Sequence, residues 1–451
     1  MSGKYNKKTQ RAWAFYDWAN SVYSLVIGTA IFPIFYNAVT TEERNGDLYD
    51  RVSFFGKEFV NTQLYSYVVA ASLIVVILVS PILSGVADYT GQKKRFLQAA
   101  CYLGSTACIS LYFFNIDYLE LSMLSIFLAS IGFWISILFY NSFLPEVAPP
   151  EEQDTLSAKG FAWGYVGSVL LLLINLGMIQ GIDPSLTRWS FVLVGLWWMG
   201  FAQITFRRLP LNPYGRKPDP EVWRQGFREL QKVWMEMKEL TFLRRYLIAF
   251  FVFSMSVQTI MLMAQFFGMK EVFVETDMTD IGYAVFPMQV IRTTGLETGQ
   301  LIVAIILVQL IAIPGAGLFS FGSRKIGNIR MLMVALSCWI AVCLYAFLAV
   351  DTPNEFFIAA GCIGFMMGGT QSLSRSTYSK LLPESNDHAS YFSFYDVLEK
   401  IGIVIGMISF GYIEFITGSM RNSVLSLILF FMIGLLLLFR VPYRKSVAPV
   451  D

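Results

Sequence analysis

Polar side chains stand inside the first long apolar segment of the chain, at about residues 12–39. Asp17, Asn20, Ser21 and Ser24 are spaced at i, i+3, i+4 and i+7, so they share one face of a helix. The segment is long enough to cross a bilayer with some tilt. Because lipid offers no partner to a carboxylate or an amide, this face must meet protein or water. We expect Asn20 and Ser21 to serve helix packing or to line a cavity.

A second set of charges lies in apolar segments of the C-terminal half: Arg375 in the tenth, and Asp396, Glu399 and Lys400 in the eleventh. A rise of about 1.5 Å per residue places Asp17 and Arg375 at the same depth, roughly 13 Å to the cytoplasmic side of the bilayer centre. We predict that Asp17, Arg375 and Asp396 close a gate there, and that Glu399 and Lys400 line a central cavity. The alternative is an ion pair of Asp396 with Lys400 within one helix, and an interfacial Asp17.

Single polar residues in other apolar segments are candidates for hydrogen bonds to a solute in that cavity. They are Asn141, Gln258, Gln371 and Ser374. Each is also consistent with a contact between helices, which is the commoner role of a lone polar residue in a membrane helix.

Membrane-spanning helices are needed to position these side chains, and the composition of the chain predicts such helices. Of 451 residues, 55% are hydrophobic and 15% charged, whereas soluble domains have roughly 45–50% and 25%. Hydropathy predicts twelve spans, at about residues 12–39, 64–87, 96–114, 120–144, 157–180, 187–206, 246–267, 296–320, 329–350, 355–378, 391–417 and 420–440. The sequence therefore predicts an all-α membrane protein whose surroundings are the lipid bilayer.

Several other classes of protein find no support in the sequence. The net charge is +2 and no basic tract is interleaved with aromatic residues, so a nucleic-acid partner is not expected. The five cysteines lie in apolar segments without ligand-like spacing. We interpret the single histidine, His388, as a solvated loop residue, and we expect no metal, no cofactor and no enzymatic activity. Two other hypotheses for a membrane protein of this kind are a membrane-embedded enzyme and a sensor that transports nothing.

The basic residues predict how the chain is oriented. Most of the 34 lysines and arginines fall in loops on the side of the N-terminus, which places both termini in the cytoplasm of a cell whose inner membrane holds the protein. The loop at 209–243 opens with four prolines and continues with apolar residues at alternating four- and three-residue steps, which indicates an amphipathic helix: Trp223, Phe227, Leu230, Trp234 and Met237. Such a helix either lies on the inner membrane face and tethers two bundles, or packs its apolar stripe on its own protein.

The chain also repeats itself. Residues 140–146, at the end of the fourth span, recur as residues 378–384 at the end of the tenth. The same offset aligns Asn20 with Gln258. Spans seven to twelve therefore look like a copy of spans one to six. We expect two pseudo-symmetric six-helix bundles, residues 1–207 and 246–451, joined by a cytoplasmic linker, residues 208–245.

The loop after the second span carries a recognisable motif. It resembles the loop signature of the major facilitator superfamily, with Asp88, Gly91 and Lys93 at matching positions, and it departs from that signature at Ser84 and Tyr89. A carboxylate at this place can accept hydrogen bonds from the N-terminus of a neighbouring helix. The resemblance implies that Asp88 forms a latch that breaks when the inner side opens.

Four stretches resemble one branch of that superfamily, the bacterial efflux-type family related to the yeast vacuolar amino-acid effluxer of autophagy. They are residues 12–21, 139–152, 257–259 and 368–376, and they span both halves. The resemblance implies the major facilitator fold, with a central site near the midplane and alternating access by rocking. It also implies transport of a small-molecule substrate such as an amino acid, with export favoured over import.

The absence of one motif limits the sources of energy for transport. No Walker-type phosphate-binding loop is present, so an ion gradient or the gradient of the substrate itself must drive transport. Asp17 and Glu399 are candidate proton carriers, because a carboxylate inside a membrane protein can load and release a proton between states. We expect a monomer.

Overall fold

The computed structural model describes residues 5–44, 47–210, 221–272 and 295–441. Within these ranges it contains 12 helices that are long and apolar enough to cross a membrane. The predicted all-α membrane fold is confirmed. Three prolines of the predicted linker, Pro213, Pro218 and Pro220, lie outside the described residues.

The first span is built from three consecutive pieces: α1 (Lys7–Val22), a π-helical segment (Tyr23–Ala30) and α2 (Phe32–Thr40). Pro33 stands in the first turn of α2, where its missing N–H is tolerated but a continuous helix would lose a hydrogen bond. The other N-terminal spans are α3 (Asn61–Thr90), α4 (Lys93–Ser110), α5 (Leu119–Ser142) with the short α6 (Leu144–Val147), α7 (Pro150–Gly181) and α8 (Thr187–Phe206).

Helix α9 (Val222–Glu239) follows the N-terminal half, and six further spans complete the array. These spans are α10 (Thr241–Phe267), α11 (Gly295–Ile326), α12 (Asn328–Ala349), α13 (Pro353–Leu381), α14 (His388–Thr417) and α15 (Met420–Phe439). Two clusters of buried apolar side chains form the cores. One comes almost entirely from the N-terminal half and includes Trp13 and Trp198. The other comes mainly from α9 and the C-terminal half and includes Trp339, with Tyr165 of α7 added from the N-terminal half.

Two small β-hairpins connect the first and second spans, where the sequence predicts no strand. Their strands are β1 (Glu42–Arg44), β2 (Asp47–Tyr49), β3 (Arg51–Phe54) and β4 (Lys57–Val60), paired antiparallel as β1 with β2 and β3 with β4. The second hairpin turns at Phe55 and Gly56, which both have positive φ angles, 47° and 72°. Such angles are typical of two-residue hairpin turns.

Several polar residues lie toward one face of the helix array, as the positions of the helix ends show. Because the chain crosses the membrane back and forth, odd-numbered spans begin and even-numbered spans end at the face where α1 begins. We call this the N-face. Asp17 near the start of span one, Asp88 at the end of span two, and Arg375 near the end of span ten all lie toward it.

Candidate functional site

A buried arginine joins the two halves at the N-face. The Arg375 guanidinium, on α13, donates from Nη1 and Nη2 to Oδ2 of Asp17 on α1, at 3.3 and 3.2 Å. It also donates from Nη1 to Oδ1 of Asn141 on α5, at 3.2 Å. On α7, its Nε and Nη2 reach the hydroxyl and the carbonyl oxygen of Ser157, at 2.9 and 3.0 Å. These hydrogen bonds match the five N–H donors that a guanidinium carries.

Aromatic rings and a hydroxyl complete this Arg375 cluster, which comprises Arg375, Asp17, Asn141, Ser157 and Tyr140. The Tyr140 hydroxyl donates to Asp17 Oδ2 at 2.9 Å. The guanidinium lies over the rings of Trp13, Tyr140 and Phe161, with its Cζ 4.9, 5.4 and 4.2 Å from their centroids. Stacking on aromatic faces and paired hydrogen bonds are what arginine provides and lysine does not. The cluster therefore ties α1, α5 and α7 to α13.

A second carboxylate at the N-face, Asp154 on α7, was missed by the sequence analysis. Its side chain is 1% exposed, and it accepts hydrogen bonds from Ser323 of α11, Asn328 of α12 and Lys380 of α13, at 2.8, 2.8 and 2.6 Å. The repeat holds a signal for it. In the second half Arg324 occupies the place of Asp88, and the carboxylate beside this loop is Asp154 of the opposite half.

The loop motif makes the contact that it predicts. Asp88 accepts the backbone N–H of Ala389 at 3.3 Å and of Ser390 at 2.7 Å, in the first turn of α14. Gly91 ends α3 with a φ angle of +69°, a left-handed conformation that favours glycine. The contact joins α3 of the N-terminal half to α14 of the C-terminal half. Its role as a latch stays a prediction.

The interpretation of His388 as a solvated loop residue is wrong. His388 begins α14, its side chain is 12% exposed, and its Nδ1 lies 3.3 Å from Oε1 of Glu146. Glu146 also pairs with Lys93. A charged loop in the sequence gave no sign of this contact, because its partner lies 242 residues earlier in the chain.

The predicted position of Asp396 in the gate also needs correction. The structure places Asp396 with Lys400, one helical turn along α14, which is the alternative that the i, i+4 spacing allowed. The recorded hydrogen bonds of Arg375 go instead to Asp17, Asn141 and Ser157. Within the described residues, Oδ2 of Asp396 is buried and has no hydrogen-bond partner. Asp396 therefore serves an ion pair within one helix.

A charged cluster lies deeper, near the middle of the membrane. Lys400 is about 18 Å along α14 from its first residue, by the helical rise per residue, in a hydrocarbon layer roughly 30 Å thick. Its ammonium group contacts Asp396 and Glu399 of its own helix and lies 4.0 Å from the ring centroid of Trp134 on α5. Gln258 of α10 donates to Glu399 Oε1 at 2.8 Å. Two carboxylates and one ammonium leave this central cluster with a formal charge of −1.

Comparison with known proteins decides which family these helices belong to. The family described as "Vacuole effluxer Atg22 like" matches residues 5–449. The chain belongs to the Atg22-like family. It is 28% identical over 449 residues to YxiO of Bacillus subtilis, described as an uncharacterized MFS-type transporter, with 97% of this chain and 96% of YxiO covered. It is 24% identical to autophagy-related protein 22-1 of Aspergillus terreus, over 65% of this chain and 50% of the length of that protein.

Solved structures agree with this assignment at the level of the fold. The fucose:proton symporter FucP of E. coli superposes with a TM-score of 0.64 at 13% identity, covering 97% of this chain and 98% of FucP. The proton:xylose symporter XylE superposes with a TM-score of 0.66 at 12% identity, covering 96% of this chain and 94% of XylE. These structures show the major facilitator fold. Together with the family match and the similarity to an MFS-type transporter over nearly the whole length of both chains, they identify the Atg22-like chain as a secondary transporter of the major facilitator superfamily and a multi-pass membrane protein, not an enzyme.

The remaining predicted site residues of this Atg22-like transporter lie in different surroundings. Asn141 belongs to the Arg375 cluster, not to the central cluster. Gln371 accepts a hydrogen bond from Tyr165 across the halves at 3.2 Å and donates to the sulfur of Met261. The side chains of Asn20 and Ser374 are buried, and in the part of the chain that the structure describes, Nδ2 of Asn20 and Oγ of Ser374 lack hydrogen-bond partners.

Ser21 faces the neighbouring helix α7. A Cβ atom added to Gly164 would overlap the Ser21 hydroxyl oxygen. The two helices pack closely there because Gly164 has no side chain. This contact is the helix-packing role that the sequence left open for Ser21.

Proposed function

We propose that this transporter moves a small solute with a protonated amino group, such as an amino acid, out of the cell by alternating access. The observation that carries the proposal is the unequal exposure of the central charges. The Glu399 side chain is 16% exposed, whereas those of Lys400 and Asp396 are 0% and 5% exposed. A solute that enters between the halves therefore meets a carboxylate, and a protonated amine is its natural partner.

The proposal keeps the predicted division of the chain into two halves and a linker. Residues 1–207 and 246–451 rock against each other, and residues 208–245 link them. Most basic residues lie in loops at the N-face, so we assign this face and both termini to the cytoplasm of the cell membrane. The Arg375 cluster, Asp154 and Asp88 then close the cytoplasmic side, and each of these contacts must break before that side opens. Both halves of the site come from one chain, so we expect the monomer to suffice.

Coupling to protons is a further part of the proposal. Asp17 and Glu399 are the candidate carriers, because protonation would remove the charge that holds Arg375 or that receives the solute. Transport that ignores a pH gradient would exclude this coupling and leave solute exchange itself untouched.

The direct test of the substrate is counterflow in proteoliposomes. Vesicles are loaded with one unlabelled solute at a time and are then given the same solute in labelled form. The solutes tested are amino acids and, for comparison, carboxylic acids and sugars that lack an amino group. We expect exchange only of solutes with an amino group, and no exchange in Glu399→Gln vesicles. Exchange of solutes without an amino group, with none of amino acids, would overturn the proposed substrate class.

A further inference from the structure

Helix α9 packs on the N-terminal half through a contact between backbones. A Cβ atom added to Gly85 of α3 would overlap the carbonyl group of Gly226, and a Cβ atom added to Gly226 would overlap the backbone of Val86. Two helices can approach this closely only where both lack side chains. Gly85 lies three residues before Asp88, so this contact is next to the Asp88 contact with α14.

The same helix also holds the C-terminal half. Lys232 Nζ lies 2.8 Å from Oδ2 of Asp387, which precedes α14, and this hydrogen bond raises the pKa of Lys232 above its ordinary value. Glu236 accepts the hydroxyl of Tyr391 at 2.8 Å. Farther along α14, the ring of Phe394 lies 5.4 Å from that of Trp234. Helix α9 therefore lies across the boundary between the two halves of the chain, where α3 meets α14. We call this boundary between the halves the seam.

The outer side of α9 carries large apolar side chains that the protein leaves uncovered. Trp223, Phe227 and Trp234 are 58%, 58% and 47% exposed. At 100° per residue they form a single stripe, beside the face that packs on the protein through Gly226, Val233 and Met237. Among the described helices, α9 is not one of the 12 that are suited to crossing a membrane, so burial in a span does not explain the stripe.

Cations flank this stripe on its solvent side. Arg224, Arg228 and Lys238 are exposed, and the Lys238 ammonium lies 5.4 Å from the ring centroid of Trp234. The acids are distributed differently. Glu236 and Glu229 point toward the seam contacts with Tyr391 and Lys232. Glu221 lies 3.9 Å from Arg224 at the helix start, and Glu239 is exposed at the helix end. An apolar stripe with cations beside it is the pattern of a helix lying in an anionic membrane interface.

We propose that the stripe of Trp223, Phe227 and Trp234, with Arg224 and Arg228, is a docking surface for anionic lipid headgroups, and that bound lipid holds α9 across the seam. The position of α9 supports lipid over a soluble partner. It lies between the end of the sixth span and the start of the seventh, at the level of the headgroups, where tryptophan is favoured. Lipid bound there would stabilise the state that is closed at the N-face. The proposal does not depend on the identity of the transported solute.

Thermal unfolding in detergent tests this surface. The midpoint Tm is measured for the full chain with added phosphatidylglycerol and with added phosphatidylcholine, because a ligand that binds the folded state raises Tm. The variants are R224Q/R228Q and, as a control matched in charge and in membrane face, R324Q/K325Q. All four side chains are exposed, and each variant is compared with itself without lipid.

We expect phosphatidylglycerol to raise Tm more than phosphatidylcholine in the wild type and in R324Q/K325Q, and R224Q/R228Q to lose at least half of that difference. A Trp223→Ser and Phe227→Ser double variant should respond less to both lipids. Three results would each overturn the proposal. They are no preference for phosphatidylglycerol in the wild type, an unchanged preference in R224Q/R228Q, or an equal loss of this preference in R224Q/R228Q and R324Q/K325Q.

Discussion

The Arg375 guanidinium and the Asp17 carboxylate meet across the two halves of the chain, with both terminal nitrogens of the arginine within 3.3 Å of one carboxylate oxygen. The two side chains are only 5% and 10% exposed. Each charge therefore compensates the other in a place that water hardly reaches. Removal of one partner leaves an unpaired buried charge, which costs much more than the pair contributes.

This relationship predicts a non-additive effect on stability. Asp17→Asn and Arg375→Gln should each lower the free energy of unfolding by about 3–5 kcal/mol. The double variant should lose less than the sum, because it contains no unpaired charge. Thermal unfolding in detergent measures all three, with the exposed Arg324→Gln as control. Strictly additive losses would show that the two side chains do not interact.

Asp154→Asn should open the N-face. The substitution removes the negative charge of a carboxylate that accepts three hydrogen bonds. A hydrogen bond to a charged group contributes about 1.5–3 kcal/mol to the stability of the contact. The reactivity of a cysteine introduced as Ser372→Cys, in the buried seam, reports the opening. We expect faster reaction with a water-soluble maleimide. Glu355→Gln at the opposite face is the control, and equal rates in both variants would contradict a role for Asp154 in closure.

Glu399→Gln should abolish solute exchange without disturbing the seam. The side chain accepts from Gln258 and contacts the Lys400 ammonium, and it is not a hydrogen-bond partner of Arg375. Because Lys400 keeps Asp396 as a partner in this variant, thermal stability should change little. Counterflow should fall to background, a loss of about tenfold or more, which corresponds to about 1.4 kcal/mol or more of lost interaction. Glu414→Gln, farther along the same helix, should exchange at the wild-type rate. Wild-type exchange by Glu399→Gln would remove the central cluster from the substrate site.

Two glycine substitutions should have opposite signs. Gly226→Ala places a Cβ atom against the backbone of Val86, and overpacking of this kind costs about 1–3 kcal/mol. Gly177→Ala meets no atom within 4 Å, so the better helix propensity of alanine should stabilise the protein by up to about 1 kcal/mol. Thermal unfolding measures both, and a destabilising Gly177→Ala together with a neutral Gly226→Ala would contradict the packing of α9 on α3.

Regular periodicity made much of the fold predictable. The twelve spans and the amphipathic character of α9 are repeated patterns that the local sequence contains. Which part of its apolar face packs on the protein, as Met237 does, is not contained there. The shared depth of Asp17 and Arg375 follows from the fixed helical rise, and the structure joins the two side chains by hydrogen bonds. Depth is thus readable from a sequence, because it depends only on the position along one helix.

Rotation about the helix axis and long-range partners are not readable in this way. The sequence could not decide whether Asp396 faces Arg375 or Lys400, because both choices keep its depth. Asp154 sits at the start of a span after two glutamates, where a carboxylate is ordinarily solvated, and its partners lie 169 to 226 residues away. The contact of His388 with Glu146 is long-range in the same way. Packing between the halves, and not local pattern, decides these positions.

In the proposed transport cycle, the contact between Asp17 and Arg375 closes the cytoplasmic side and has to form and break in each turnover. Counterflow in proteoliposomes of wild type, Asp17→Asn, Arg375→Gln and the exposed control Arg324→Gln tests this role. We predict that both seam variants lose about tenfold or more of the exchange rate, while Arg324→Gln keeps the wild-type rate. Wild-type exchange by both Asp17→Asn and Arg375→Gln would contradict the claim.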